Sequence, residues 1–207
     1  MPPETSTEAN QTGASAPLKV FLKAENLAPS SELIMKEFVY IIRQDWARNR
    51  KYIKSLLVIM AFRIAHSIAI HKGSSGWVWW LGLPYIIFYR LLTEWFLGIE
   101  LPAKTQVGPG LIIHHGQGLV INPNTRIGRN VVLRQNTSIG TKFDRGPSPE
   151  IGDNVNVGAN VVVIGDIIVG DDAIIGAGSV VVKDVPQKAT VVGNPARVVS
   201  KYQSTRD

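Results

Sequence analysis

Aliphatic residues recur at every sixth position along the second half of the chain. From Val107 onward the sequence divides into sixes that read VGPGLI, IHHGQG, INPNTR, IGRNVV, LRQNTS and IGTKFD, with an extra Leu-Val pair after the second six. The sixes resume at Ile151, after a loop, as IGDNVN, VGANVV, VIGDII, VGDDAI, IGAGSV and VVKDVP. A period of six fits neither an α-helix nor a single strand, so it indicates a repeat architecture.

Each six combines the features of a short strand with those of a turn. Its first position is Ile, Val or Leu, and the Gly, Asn or Asp residues that follow accept turn conformations. Stacked units of this kind build a continuous core that none could build alone. The alternative, an ordinary β-sandwich, has strands at irregular intervals of about 8–12 residues. We therefore predict a mainly β fold of stacked coils over residues 99–200, with an extended loop near 141–150.

Residues 31–98 carry the spacing of three and four that predicts helices. The first helix contains Leu33, Ile34, Phe38, Ile41 and Ile42. The second spans 49–71, and one of its faces is formed by Ile53, Leu56, Leu57, Met60, Ile64 and Ile68. Glycines in 71–76 interrupt the pattern, and a third stretch over 78–97, rich in Trp and Tyr, is expected to kink near Pro84.

Composition limits the class of protein. Residues 1–30 are rich in Pro, Ser, Thr and Glu and predict a disordered tail, and residues 201–207 form a C-terminal tail. The 207-residue chain has no cysteine, which excludes thiolate chemistry, and a formal net charge of +6. We identify no signal peptide, and the apolar runs are too short, or are interrupted by Arg63 and His66, to span a membrane. We expect a cytoplasmic protein, either soluble or bound peripherally at the inner face of the cell membrane.

Two adjacent histidines, His114 and His115, interrupt the repeat in the segment LIIHHGQGLVIN. With the hexads and the closing segment IGAGSVVVKDVPQKATVVGNPARVV, the chain resembles the hexapeptide-repeat acyltransferases, which fold as a left-handed parallel β-helix. It is most similar to their serine acetyltransferase branch, which has a helical N-terminal region, the same two-residue excess and a histidine at the position of His115. The FRIAH, IHHG and VIN segments resemble bacterial exopolysaccharide O-acetyltransferases of the colanic-acid type, which act on sugars.

This resemblance implies an active site and a co-substrate. In the family, acetyl-CoA lies between the subunits of a homotrimer, a histidine deprotonates the acceptor hydroxyl, and an acidic side chain orients that histidine. These roles fall on His115 and Glu100. Imidazole is also the side chain best suited to deprotonate a hydroxyl near neutral pH, and a carboxylate on its other nitrogen fixes the tautomer. The alternatives are a structural, hydrogen-bonded His115 and an exposed Glu100 at the domain junction.

Departures from the serine acetyltransferases favour a different acceptor. Those enzymes have aspartate before the catalytic histidine, where this chain has His114, and an Arg-His pair in the extended loop. Here Ser148 takes the place of that histidine, and Arg145 is the candidate for the arginine. We predict that His114, Arg145 and Ser148 bind a sugar hydroxyl substrate. Serine is the alternative acceptor, and a solvent-facing His114 is the alternative for that residue.

Small residues and three basic residues are candidates for the CoA site. The family's backbone approaches the pantetheine arm at positions that match Gly140, Thr141, Gly158, Ala159, Gly176 and Ala177. The candidates for the CoA phosphates are Lys183, Arg197 and Lys201. The alternatives are glycines that only serve their turns and a solvated basic face. No metal is expected, because a tetrahedral zinc site would need a third histidine beside His114 and His115, and the other two lie in the helical region.

The basic cluster in 43–63 and the aromatic stretch 77–96 leave two interpretations open. One is a helical cap and oligomer contact; the other is a surface for the anionic inner leaflet of a membrane. Nucleic acid is not expected, since no recognised motif accompanies the charge. The leading hypothesis is an acetyl-CoA-dependent O-acetyltransferase of exopolysaccharide or capsule synthesis. The alternatives are a serine O-acetyltransferase of cysteine biosynthesis and a non-catalytic, membrane-associated β-helix scaffold.

Overall fold

The computed structural model describes residues 31–70, 76–144 and 146–201. By its contacts the chain divides into Met1–Met35 and Lys36–Asp207. Of the first unit, only the beginning of a helix belongs to the described residues. The predicted tail over 1–30 lies outside them, as does the predicted C-terminal tail except for Lys201, which ends the last strand.

Three helices precede the repeats. Helix α1 spans Ser31–Asn49, α2 spans Ile53–Ile70, and α3 spans Gly76–Arg90 and continues as a π-helical turn over Leu91–Phe96. Helices α2 and α3 pack side by side and antiparallel. Gly82 of α3 lies so close to Ile68 that an added methyl group would overlap it, and the Tyr85 hydroxyl donates a hydrogen bond of 3.2 Å to the Ala61 carbonyl.

The apolar face predicted for α2 from its spacing is half exposed, since Leu56, Met60 and Ile68 are only half-buried. Ile53, Leu57 and Ile64 lie on the outside. The buried residues of α2 are instead Ser55, Val58, Ile59, Phe62, Arg63 and Ala65. The sequence does not reveal this because α2 is apolar on nearly all sides, and its packing face includes two polar residues that hydrogen-bond to the repeats.

The hexads form short strands that fall into three sheets. The strands are β1 Ile99–Glu100, β2 Gln106–Val107, β3 Ile112–His114, β4 Leu119–Ile121, β5 Arg126–Ile127, β6 Val132–Arg134, β7 Ser138–Gly140, β8 Glu150–Ile151, β9 Asn156–Val157, β10 Val162–Ile164, β11 Ile168–Val169, β12 Ile174–Ile175, β13 Val180–Val181, β14 Ala189–Gly193 and β15 Ala196–Lys201. The sheets have the orders β1-β4-β7-β10-β13, β2-β5-β8-β11 and β3-β6-β9-β12-β14-β15, and only β15 pairs antiparallel. Up to β13, every third strand therefore returns to the same sheet, as a parallel β-helix requires.

Aliphatic side chains fill the inside of the coils, and asparagines form ladders at their corners. Val131, Leu133 and Val161 are among the fully buried core residues. Asn136 and Asn160 adopt φ of 54° and 57°, and the Asn136 side-chain amide donates a hydrogen bond of 2.9 Å to the Asn160 side chain. Asn tolerates this left-handed conformation better than other residues with a Cβ, which explains its recurrence in the hexads.

A buried ion pair fastens the helices to the first coils. Arg63 Nε donates to Asp45 Oδ2 at 2.8 Å, and the side chains are 3% and 0% exposed. The same guanidinium donates to the Val107 and Gly108 carbonyls, and Asp45 Oδ1 accepts from the Gly110 amide at 2.6 Å. Because each charged group has several partners, the pair satisfies backbone groups that would otherwise be buried without a hydrogen bond.

Candidate active site

His115 lies in a two-residue bulge at a corner of the β-helix. His114 is in register with Arg134, and the Asn136 amide donates to the Gln117 carbonyl at 2.8 Å, so the segment from His114 to Gln117 contains the extra residues of this coil. The sequence assigns the excess to the Leu-Val pair 119–120 instead, and that assignment is wrong because both residues belong to β4. The bulge lifts His115 out of the strand and leaves it exposed.

The backbone of the bulge is tightly wound. The Gly116 amide donates to the His114 carbonyl and the Gln117 amide donates to the His115 carbonyl, each at 2.8 Å, which makes two consecutive three-residue turns. The central residues, His115 and Gly116, have φ of 64° and 62°. A non-glycine residue at such a φ is strained by about 1–2 kcal/mol, and backbone strain of this kind clusters at functional sites.

The first residues of helix α2 contact the backbone of the bulge and of the strand that precedes it. Lys54 Nζ donates a hydrogen bond of 3.3 Å to the His115 carbonyl. The Ser55 hydroxyl accepts one of 2.9 Å from the Ile113 amide. A cavity of about 10 Å³, the size of one water molecule, lies between Lys54, Ser55, Val58, Ile99, Ile113, His115 and Gly116. The beginning of α2 thus fixes the backbone on which His115 is carried.

His114 occupies a different environment from His115. Its ring meets Tyr52 edge to face with 4.6 Å between centroids, and it is half-buried. Burial lowers the pKa of the His114 imidazole below 6.5, and the charges of Arg134 and His115 lower it further. The lowered pKa favours the neutral imidazole, which can both donate and accept a hydrogen bond without adding charge.

We expect the NMR titration of His114 to have its midpoint below pH 6.5. Arg134→Gln removes the positive charge that is the second cause of the lowered pKa. The midpoint should therefore rise, but only part of the way to 6.5, because the imidazole stays half-buried. Assignment by His114→Gln identifies the resonance. A midpoint at or above pH 6.5 in the wild-type protein would contradict this description.

Glu100 lines a large groove on the five-stranded sheet. The groove has a volume of about 720 Å³, and its floor is formed by β1, β4, β7 and β10. Helix α3 forms one wall through Leu83, Ile86 and Arg90. Arg90 Nε donates to Glu94 Oε1 at 2.9 Å; this hydrogen bond, followed by the charges of Glu94 and Glu100, raises the pKa of the Arg90 guanidinium. The groove is apolar in most of its lining, with its charges gathered near Glu100.

The structure brings some of the predicted site residues together and leaves others apart. Gly140 lines the groove with Glu100, and so does Asn122, whose Oδ1 accepts a hydrogen bond of 3.0 Å from the Ser148 hydroxyl. His115 and Glu100 line different cavities, and within residues 31–70, 76–144 and 146–201 no hydrogen bond joins them. Their partnership stays a prediction. Arg145 lies outside the described residues.

The small residues predicted for the CoA site are not equivalent. A Cβ added at Gly158 would lie 2.5 Å from the Ala177 backbone nitrogen, and one added at Gly176 would lie 2.5 Å from Val192 Cγ1, so the stacking of the coils itself requires both glycines. A Cβ at Gly140 would meet nothing closer than Asn122 Cβ at 3.7 Å. Gly140 is therefore the glycine whose missing side chain leaves free room in the groove.

The remaining candidates are accessible. Thr141 and Ala159 are half-buried; Ala177, Lys183 and Arg197 are exposed. The pairs Gly158-Ala159 and Gly176-Ala177 follow β9 and β12, at the corner that also carries His115. Of Lys201 only the backbone, at the end of β15, is described. In the part of the chain that the structure describes, no three His, Cys, Asp or Glu side chains are grouped to hold a metal ion.

Comparison with known proteins identifies the family. The model for "Bacterial transferase hexapeptide (six repeats)" matches residues 148–183. The chain is also 36% identical over 158 residues to the putative colanic acid biosynthesis acetyltransferase WcaB of Escherichia coli K12, a match that covers 75% of this chain and 96% of WcaB. The chain belongs to the hexapeptide-repeat acetyltransferases. The predictions of a hexapeptide-repeat β-helix and of an acyltransferase are thereby confirmed.

Serine acetyltransferases are relatives of this hexapeptide-repeat acetyltransferase as well. The enzyme of Staphylococcus xylosus is 43% identical over 112 residues, which are 53% of this chain and 52% of that protein. The soybean serine acetyltransferase apoenzyme superposes with a TM-score of 0.68 at 28% identity, covering 79% of this chain and 69% of that chain. Acetyltransferases of this family use acetyl-CoA as the acetyl donor.

Proposed function

We propose that the acetyltransferase transfers the acetyl group of acetyl-CoA to a sugar hydroxyl during exopolysaccharide or capsule synthesis in the cytoplasm. The similarity to WcaB over nearly its whole length carries this proposal. The loop geometry supports it, because Asn122 lines the groove and accepts a hydrogen bond from the Ser148 hydroxyl, and an amide and a hydroxyl are groups suited to hydrogen-bond a neutral polyol. In this proposal His114 and Arg145 complete the acceptor site.

His115 is the general base of the proposed reaction. Its imidazole accepts the proton of the acceptor hydroxyl while that oxygen forms a bond to the thioester carbonyl carbon. The tetrahedral intermediate then collapses, the C–S bond breaks, and the imidazolium returns its proton to the CoA thiolate. Glu100 orients His115 in this proposal. Gly140-Thr141, Gly158-Ala159 and Gly176-Ala177 border the CoA arm, and Lys183, Arg197 and Lys201 meet its phosphates.

Acetyl-CoA turnover with a panel of acceptors tests the proposal. CoA thiol release is measured with purified protein, nucleotide sugars, oligosaccharides and L-serine. We expect release with at least one sugar and a much lower kcat/KM with serine. Efficient serine acetylation would favour a serine O-acetyltransferase, which the S. xylosus similarity supports as the second candidate. Calorimetry with CoA separates both enzymes from a non-catalytic scaffold, for which no heat of binding is expected.

Gly140→Val should weaken acetyl-CoA binding without unfolding the protein. Its side chain fills groove space that is empty in the wild type, so we expect KM for acetyl-CoA to rise about tenfold or more, with Tm within a few degrees of wild type. Gly158→Ala is the contrasting variant, because its Cβ overlaps the backbone of the next coil and lowers Tm. An unchanged KM in Gly140→Val would remove Gly140 from the CoA site.

A homotrimer with sites between subunits belongs to the same proposal. Light scattering should give three times the mass of the chain. A monomer at working concentration that is fully active would contradict this arrangement.

A further inference from the structure

The outer face of the hairpin formed by α2 and α3 is apolar and exposed. We define this hairpin face by Ile53, Leu57 and Ile64 on α2 and by Leu81, Phe88 and Trp95 on α3 and its π-helical continuation. The exposed fractions of these side chains range from 46% for Ile64 to 81% for Trp95. Exposed large apolar residues that are grouped on one face mark an interaction site in soluble proteins.

Both helices turn these residues away from the β-helix. On α2, Phe62 and Ser55 face inward, and Ile53, Leu57 and Ile64 recur at intervals of four and seven on another side. On α3 the buried Tyr89 donates to the Leu101 carbonyl at 2.7 Å, while Leu81, Phe88 and Trp95 recur at intervals of seven. Helices α2 and α3 lie side by side on the first coils. The exposed residues on their outward sides therefore form one surface.

The charge around the α2 part of this surface is positive, and Glu94, beside Trp95, is paired with Arg90. No aspartate or glutamate occurs between residues 46 and 93, which include seven lysines and arginines. Arg50, Lys51 and Lys54 are exposed at the beginning of α2, next to Ile53. An apolar face with a basic end and a tryptophan is the combination that binds anionic bilayer surfaces. We propose that the hairpin face binds the surface of an anionic lipid bilayer.

Helix α2 lies along the bilayer in this proposal and does not cross it. Among the described helices α2 alone has the length and hydropathy for a span, yet 39% of that segment is buried inside the protein. Arg63 pairs with Asp45 of α1 and donates to the Val107 carbonyl, and Ser55 accepts from the Ile113 amide. These bonds hold α2 on the first coils. Crossing would break these bonds and carry the Arg63 guanidinium into hydrocarbon, which costs several kcal/mol.

A second copy of the chain suits this surface less well. In a two-fold contact the same patch meets itself, so residues 46–93 of one chain would face a segment that also lacks acidic residues. Anionic head groups supply the missing charge.

Lys54 also donates a hydrogen bond to the His115 carbonyl in the bulge. The bilayer phosphates would therefore lie beside the end of the hairpin that supports the candidate base. A lipid-linked sugar is the acceptor that this arrangement would present, a consequence that rests on the proposed function, whereas bilayer binding does not.

Vesicle flotation with the full chain tests the proposal. The probes are vesicles of phosphatidylcholine alone and of an equal mixture with phosphatidylglycerol. We expect binding to the anionic vesicles only, with a large loss at about 1 M salt, where the Debye length falls to about 3 Å. The double variant Leu57→Ser/Phe88→Ser should lower the partition coefficient at least about tenfold. Lys51→Gln should lower it about fivefold.

Ile168→Ser is the matched control, because Ile168 is equally apolar and 58% exposed but lies on the β-helix. It should bind vesicles as wild type does. Absence of binding by the wild type, or equal binding by the double variant, would overturn the proposal. So would a smaller assembly of the double variant in light scattering, which would show that the hairpin face joins copies of the chain. CoA release with soluble acceptors reports on the acetyl transfer separately.

Discussion

His115→Asn should lower kcat for acetyl transfer by about 10²–10⁴-fold, the usual contribution of a general base. Asn is the best replacement because His115 has a φ of 64°, and the chain already places Asn at four other positions with φ between 54° and 59°. The amide keeps the backbone of the bulge and cannot accept a proton near neutral pH. Thioester turnover at saturating acetyl-CoA gives kcat, and circular dichroism confirms the fold.

The matched control for His115→Asn is His114→Asn. His114 is half-buried against Tyr52 and belongs to the proposed acceptor site, so its loss should raise KM for the acceptor more than it lowers kcat. The two variants thus separate the base from its neighbour. If His115→Asn retained kcat within threefold of wild type, His115 would not be the base, and the strained bulge would need another explanation.

Asp45→Ala should lower the free energy of unfolding by about 3–5 kcal/mol, because it leaves the Arg63 charge buried without its partner. The Gly110 amide also loses its acceptor. Urea denaturation measures the change. The effect should match that of a large core truncation, because a guanidinium that is 3% exposed cannot recover water without separation of the helix from the coils.

An exposed ion pair of the same protein is the control for Asp45→Ala. Arg126 and Glu150 approach to 3.4 Å with both side chains more than half exposed. Glu150→Ala should cost under about 1 kcal/mol. Similar losses in the two variants would mean that Asp45 contributes no more than a surface charge, and that apolar packing and the other hydrogen bonds, such as Ser55 to Ile113, fasten the helices to the coils.

The sequence predicts the β-helix well because its period is local. Each aliphatic residue that begins a six becomes an inward strand position, as with Ile127 and Val157, and the Asn residues mark the corners. The two-residue excess is placed wrongly, because sixes on either side stay in phase wherever the excess lies. The pairing of His114 with Arg134, together with the hydrogen bond from the Asn136 amide to the Gln117 carbonyl, shows that the bulge includes His115 itself.

The candidate site is predictable only in part. Three glycines occupy equivalent positions in the hexads but differ in the space around them, namely Gly140, Gly158 and Gly176. Coil stacking leaves no space for a side chain at Gly158 or Gly176, whereas Gly140 has free space. Arg63 and Asp45 are 18 residues apart on two helices, so no local pattern reveals that they pair. The burial of Ser55 escapes prediction for the same reason, because its partner is the backbone of Ile113.

The extended loop changes the length of one coil without disturbing those around it. Ser138 pairs with Val162 across 24 residues, whereas Val162 pairs with Val180 across 18, so the loop adds six residues, the length of one hexad. Strands before and after it keep their register and their inward residues. The segment can therefore be shortened or lengthened as a cassette while the coils on either side keep their stacking.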